Sequence, residues 1–244
     1  MTIKTDKINR IAQVLIDLVY PRRCPVCGDI VSKRRSDICP GCERKLTFVT
    51  PPFCLRCGKP VFDSVKYCPD CAKDTHVYDE GRAALVYDDY MRKSIYAFKY
   101  YGKREYAEYY GRVMYERLAD AIRAWDVEAI IPVPIHKSRL RKRGYNQAEL
   151  IAGQLGKRLG ISVRNDLVTR SLSTKVQKDL SAKARQNNLK KAFNVTQNVV
   201  KLDSVLIVDD IYTTGATVDA MARSLKGAGI KKVFFAALCI GRGN

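Results

Sequence analysis

The sequence predicts an α/β domain built on a mostly parallel sheet with flanking helices, preceded by a small cysteine-rich domain. Three observations predict it. From about Tyr78 onward, apolar runs of strand length alternate with segments of helical periodicity. One apolar run, 205–208, ends in two acids and turns through hydroxyls and a glycine toward a helix. Eight of the nine cysteines, all ahead of Tyr78, fall into four C-x-x-C pairs. A chain of 244 residues with 46% hydrophobic content has room for one full α/β core and one satellite. The expected division is therefore 1–77 and 78–244.

At the N-terminus Ile8, Ile11, Leu15, Leu18 and Val19 recur at helical spacing, which predicts an amphipathic helix docking on the body or on a partner. The apolar stretch 14–20 is interrupted by Asp17 and is far shorter than a membrane span. No small-residue cleavage site follows it. The expectation is a cytoplasmic protein without membrane insertion.

The thiol pairs are Cys24/Cys27, Cys39/Cys42, Cys54/Cys57 and Cys68/Cys71. Two residues between thiolates let both sulfurs of a tight knuckle point at one ion, and two knuckles complete a tetrahedral zinc site. Eight cysteines thus make two such sites. Short separations between neighbouring pairs favour sequential pairing, with an interleaved cross-brace as the alternative. A disulfide framework would need an oxidising compartment, which a chain without an export signal does not reach. With every ligand position filled by sulfur no coordination site is open to substrate, so both zinc ions should be structural. Cys239 stands alone in an apolar run and reads as a buried strand residue.

Strands are expected at 81–87, 128–133, 166–169, 204–208 and 232–240, and helices at about 90–100, 104–125, 146–159 and 217–227. In such a sheet, ligands bind beyond the carboxyl ends of the strands. The run Asp209-Asp210-Ile211-Tyr212-Thr213-Thr214-Gly215-Ala216-Thr217 follows one of them. Free N–H groups where a helix opens near Ala216 and Thr217, with the helix dipole behind them, favour a phosphate dianion. Thr213, Thr214 and Thr217 can add hydroxyl donors, and Gly215 lets the backbone come close. Two carboxylates facing a phosphate would repel it, so Asp209 and Asp210 should face sugar hydroxyls or a magnesium ion. A ribose 5-phosphate meets both demands.

This segment resembles the phosphoribosyl pyrophosphate (PRPP) motif of type I phosphoribosyltransferases. The resemblance implies that Asp209 and Asp210 lie at the ribose hydroxyls, that 213–217 holds the 5-phosphate, and that magnesium accompanies PRPP. A wider resemblance covers nearly the whole chain. The paired ribbons, Phe98-Lys99-Tyr100-Tyr101-Gly102, Ile131-Pro132-Val133-Pro134, the run 139–148, Thr174-Lys175-Val176-Gln177 with Arg185 and Asn188, and the PRPP motif follow the order seen in the ComF family of competence proteins. That resemblance implies a double zinc ribbon, a type I phosphoribosyltransferase-like fold and a role in handling single-stranded DNA during natural transformation.

Charge agrees with a polyanionic partner: 44 Lys plus Arg against 25 Asp plus Glu leaves +19. Lys137, Arg139, Arg141, Lys142 and Arg143 stand just after an expected strand, where a pyrophosphate or a nucleic-acid backbone could lie. A solvated surface loop is the plain alternative. Lys99, Lys103 and Arg104 lie among Tyr96, Tyr100, Tyr101 and Tyr106, an interleaving that suits single-stranded nucleic acid, although helix packing is the plainer use of most of these rings. Asn146 is a candidate helix cap, and Tyr145 either a core residue or a stacking face. Segment 171–185, with Thr174, Lys175, Gln177 and Arg185, is expected as a loop closing over the site.

Two functions follow. One is a competence protein that binds PRPP or a related phosphoribosyl compound and handles single-stranded DNA. The other is an active transferase moving phosphoribose from PRPP to a nitrogenous base. In either case the ribbons could dock a competence helicase or another DNA-uptake protein.

Overall fold

The computed structural model describes residues 21–31, 37–73, 75–171, 192–196 and 202–241. The expected N-terminal helix, and Thr174, Lys175, Gln177, Arg185 and Asn188, lie outside them. Two compact units divide between Leu46 and Thr47. No helix among the described residues is long and apolar enough to cross a membrane.

The first unit holds the first ribbon. Its knuckle closes when the Cys24 N–H donates to the Asp29 carbonyl at 2.8 Å and the Gly28 N–H to that of Cys24 at 2.9 Å. Gly28 takes φ +82°, a conformation that favours glycine. The second thiol pair rides on helix α1 (Pro40–Glu43), where proline fits the first turn because its missing N–H would have no helical partner.

The second ribbon repeats this construction. The Cys54 N–H donates to Lys59 at 2.7 Å, the Gly58 N–H to Cys54 at 2.9 Å, and Cys68 leads into helix α2 (Pro69–Lys73). It belongs, however, to the larger unit. Cys54, Cys57 and Cys68 join the same buried cluster as Tyr78, Tyr212, Val218 and Phe235. The division expected at 77/78 follows the end of the cysteine motifs, whereas the boundary between the compact units falls ahead of the second ribbon. Burial is the physical reason: the second ribbon shares its apolar face with the sheet.

That sheet has the order β1 (Glu80–Val86), β6 (Lys232–Ile240), β5 (Ser204–Tyr212), β2 (Ala129–Pro132), and every pair is parallel. Helices α3 (Asp89–Tyr100) and α4 (Tyr106–Ala124) link β1 to β2. Helices α5 (Lys137–Arg143) and α6 (Gln147–Leu159) follow β2. A small antiparallel pair, β3 (Val168–Arg170) with β4 (Phe193–Val195), precedes β5, and α7 (Ala216–Gly227) joins β5 to β6. Strand side chains alternate between faces. Val205, Ile207, Val233 and Phe235 pack with Val218, Met221 and Leu225 of α7 and with the second ribbon. On the other face α4 and α6 pack together against the strands, and Trp125, at the end of α4, stacks on Phe234 with ring centroids 4.9 Å apart.

Two elements depart from the sequence reading. Strand β5 continues in register past the acids to Tyr212, opposite Ile240, so the turn is confined to Thr213, Thr214 and Gly215. The basic run is helical rather than a loop. His136 caps its start through Nδ1, which accepts from the Ser138 N–H, and Gly144 ends it at φ +76°. Lysine and arginine are good helix formers, and between two such caps the cations need no further signal.

Candidate functional site

Each ribbon gathers its four thiols. Cys24, Cys27, Cys39 and Cys42 form one set and Cys54, Cys57, Cys68 and Cys71 the other, with sulfurs in each set within 4.8 Å of one another. This is the sequential grouping. Cys27 and Cys39 sulfurs are 3.7 Å apart, and those of Cys57 and Cys68 are 3.6 Å apart. Zinc–sulfur bonds of about 2.3 Å at tetrahedral angles require sulfurs about 3.8 Å apart, so both sets fit a zinc ion with no open position. Cys239 is fully buried in β6, as its apolar surroundings predict.

The acid pair sits at the carboxyl end of β5. Asp210 is buried and its carboxylate meets Lys99 of α3 at 2.7 Å. Burial opposes the Lys99 charge, but Asp210, helped by Asp209, overcomes it and holds the ammonium above its ordinary range. Asp209 is pushed up to about 7, first by burial and then by the neighbouring Asp210 charge. Its Oδ1 accepts from the Asp210 N–H at 2.8 Å. Beyond the pair, Thr213 and Thr214 are exposed, and Gly215 opens α7 at φ +82° with no side-chain cap. Among the described residues the first-turn N–H groups around Ala216 and Thr217 therefore have no capping side chain, the arrangement that receives an anion.

Cations surround this edge unequally. Arg139 and Arg143, one helical turn apart on α5, are half-buried, while Lys137, Arg141 and Lys142 are exposed. Arg143 donates to Gln147 Oε1 at 2.8 Å and to the Tyr100 hydroxyl at 3.2 Å, and lies within electrostatic reach of Lys99. Arg170, at the end of β3, feels Arg139 and Asp209; burial and Arg139 push it below its ordinary value while Asp209 acts in the opposite sense. The fold thus brings Lys99, Arg139, Arg143 and Arg170 to one edge. Lys103 pairs with Glu105 at 3.8 Å instead. Sequence reasoning missed Arg170, whose short strand carries no motif, and the Lys99–Asp210 pair.

The tyrosines split as well. Tyr96, Tyr100 and Tyr101 are 52%, 49% and 68% exposed and touch one another, with centroids 4.7 Å (Tyr96–Tyr100) and 5.6 Å (Tyr96–Tyr101) apart. The Arg143 guanidinium lies 4.9 Å over Tyr100. Tyr106 is buried, and so is Tyr145, whose hydroxyl donates to the Phe98 carbonyl, so neither belongs to this surface. Asn146 caps α6 by accepting from the Ala148 N–H at 3.2 Å.

Two closed four-thiolate ribbons, one packed on a parallel sheet whose acid-ended strand turns into an uncapped helix, define a zinc-ribbon protein with a phosphoribosyltransferase-type domain. Family models agree: a double zinc ribbon domain matches residues 15–72 and a phosphoribosyl transferase domain matches 142–244. Competence protein F of Haemophilus influenzae is 32% identical over 216 residues, covering 86% of this chain and 93% of that protein. DNA utilization protein YhgH of Escherichia coli K12 is 29% identical over 225 residues, covering 91% and 98%. Competence protein ComFC of Bacillus subtilis is 27% identical over 233 residues, covering 89% and 90%. The chain belongs to the ComF family of competence proteins. Among solved structures, a purine phosphoribosyltransferase from Pyrococcus horikoshii overlaps 54% of this chain and 73% of its own at 17% identity, with a TM-score of 0.35, a partial likeness on which nothing further depends.

Proposed function

We propose that this protein binds PRPP with magnesium at the β5–α7 turn and handles single-stranded DNA on the adjoining basic and aromatic surface, in the cytoplasm, during DNA uptake. The observation that carries the reading is the uncapped first turn of α7 a few residues after the acid pair, Asp210 buried and Asp209 half-buried: it supplies donors for a phosphate and carboxylates for a ribose within one short run. Lys99 holds the Asp210 carboxylate in place, and Arg139, Arg143 and Arg170 supply charge for a pyrophosphate. Asp209 and Asp210 are the carboxylates that would hold magnesium, which would neutralise the remaining phosphate charge. Names of relatives that refer to competence and DNA utilization support the nucleic-acid half. So do the exposed rings of Tyr96, Tyr100 and Tyr101, with Arg143 over Tyr100 and the exposed Lys137, Arg141 and Lys142 on the same helix as Arg143, groups on which bases can stack and a backbone can be held.

Titration calorimetry with PRPP and magnesium tests the first half, and Asp209→Asn combined with Asp210→Asn should abolish the heat while leaving zinc content intact. Unchanged affinity in that variant would remove the site assignment. For the second half, affinity for an oligothymidylate should fall steeply with salt, because phosphate contacts release counterions. A flat salt dependence refutes it.

One observation favours a second reading, transfer of phosphoribose to a nitrogenous base. Asp209, held near 7, can exchange a proton at neutral pH, as a general acid or base must. Base-dependent release of pyrophosphate in the same samples distinguishes turnover from binding.

A further inference from the structure

Among the buried titratable side chains outside the thiol clusters and the acid pair is a histidine with an unpartnered ring nitrogen. His76, just beyond the last thiol of the second ribbon, has a side chain only 5% exposed. Its Nδ1 lies 2.7 Å from Asp219 Oδ2, and the Val77 N–H donates to Asp219 Oδ1 at 2.7 Å. A carboxylate only accepts, so the imidazole carries its proton on Nδ1, and Nε2 is left buried with no partner among the described residues. An orphaned buried polar atom is destabilising, so what holds the ring in place must be the Nδ1 bond and the contacts of its faces. Asp219 stands in the first turn of α7, where a free carboxylate would compete with an incoming phosphate. Here both its oxygens are already occupied.

The ribbon reaches the same residue through its backbone. Arg56, inside the Cys54/Cys57 knuckle, donates from Nη2 to the His76 carbonyl at 2.7 Å, and the Arg56 carbonyl accepts from the Gly81 N–H at 2.8 Å. His76 stacks on Tyr78 with centroids 4.8 Å apart, and the Tyr78 and Tyr212 hydroxyls meet at 2.6 Å. Gly215 completes the path. A β-carbon there would lie 2.6 Å from Tyr212 Oη and 3.0 Å from His76 Cε1, so the backbone of the phosphate turn is seated directly on these two side chains.

We propose that His76 and Asp219 form a clamp through which the second ribbon, loaded with its metal, positions the first turn of α7 for a phosphoryl ligand. His76 is then a positioning residue, and its effect on the ligand rests on the reading of that turn as the PRPP site. In His76→Ala, with both zinc ions retained, calorimetry should show affinity for PRPP with magnesium reduced about ten-fold. His76→Asn, whose amide nitrogen stands where Nδ1 stood, should recover most of the loss. Unchanged affinity in the alanine variant, or a loss that asparagine does not recover, overturns the clamp. Hydrogen exchange without ligand separates this from failure of the site assignment. Peptides spanning 213–219 should exchange about ten-fold faster in His76→Ala and in Cys68→Ser, relative to peptides spanning 147–159 in the same samples. Should the unaltered protein bind no PRPP, the site assignment fails and exchange alone decides: unchanged rates at 213–219 in both variants overturn the clamp, and faster rates sustain it.

Discussion

The two ribbons are built alike and placed differently. Each has a glycine knuckle closed by the same pair of backbone hydrogen bonds, and each carries its second thiol pair on a short proline-led helix. In the first unit Cys27 is exposed and Cys39 half-buried; in the second ribbon Cys54 and Cys57 are fully buried and belong to the cluster that covers one face of the sheet. Metal binding in such a module is folding free energy. In the second ribbon that energy also stabilises the sheet face and α7, with which Cys54, Cys57 and Cys68 share a buried cluster. Identical metal chemistry can therefore become part of a larger core, and what decides is how much apolar surface the knuckle shares with its neighbours.

The largest expected effect tests this directly. Cys57→Ser should lose one zinc and forfeit much of the about 10–16 kcal/mol that such a site supplies, so the main calorimetric unfolding transition falls steeply. Cys27→Ser should also lose one zinc but move that transition by less than about 1 kcal/mol. Equal shifts would dissolve the distinction. Next, a chelator should extract zinc in two phases, the faster belonging to the first ribbon, and Cys27→Ser should delete that fast phase.

A finer contrast lies in two glycines. Gly58 has φ +76°, and a β-carbon there would come within 3.0 Å of the Arg82 Cα and the Gly81 carbonyl oxygen, whereas the same atom at Gly28, φ +82°, meets nothing within 4 Å. Gly28→Ala should cost only the left-handed penalty, about 1–2 kcal/mol, and Gly58→Ala should cost more in denaturant titrations because β1 must also move. A further contrast is a pH effect that involves no thiol. The Asp209 carboxyl is raised from 3.8 to about 7, so between those values the folded chain binds more protons than the unfolded one. Its contribution to stability therefore declines as pH rises from about 4 to 7. Asp209→Asn should flatten that slope in melts across the range, and an unchanged slope would contradict the assignment.

Much of this was legible in the sequence because it is local. Thiol spacing defines the knuckles, and periodicity places β1, β5, β6, α4 and α6 within a few residues. The turn at Thr213, Thr214 and Gly215 is legible for the same reason: hydroxyls, glycine and acids sit in one short run. What escaped depends on distance along the chain. His76 meets Asp219 across 143 positions, and nothing in the neighbourhood of either residue announces it. Arg170 reaches the site only because β3 is folded beside it. Tyr96 and Tyr106 look equivalent in an interleaved basic run, yet one is half exposed and the other buried, since α3 and α4 turn different faces to the core. The helix α5 was hidden because a dense run of cations reads as a solvated loop until its caps are seen.

The stack of Trp125 on Phe234 has a practical consequence. It is the chain's single tryptophan, and it belongs wholly to the larger unit. Intrinsic fluorescence excited at the indole band should therefore be blind to melting of the first ribbon and should register only the loosening of β6 from α4. The polypeptide carries its own optical label for the larger of its two units, and comparing that signal with far-ultraviolet dichroism, which sees both, resolves their unfolding without any added dye.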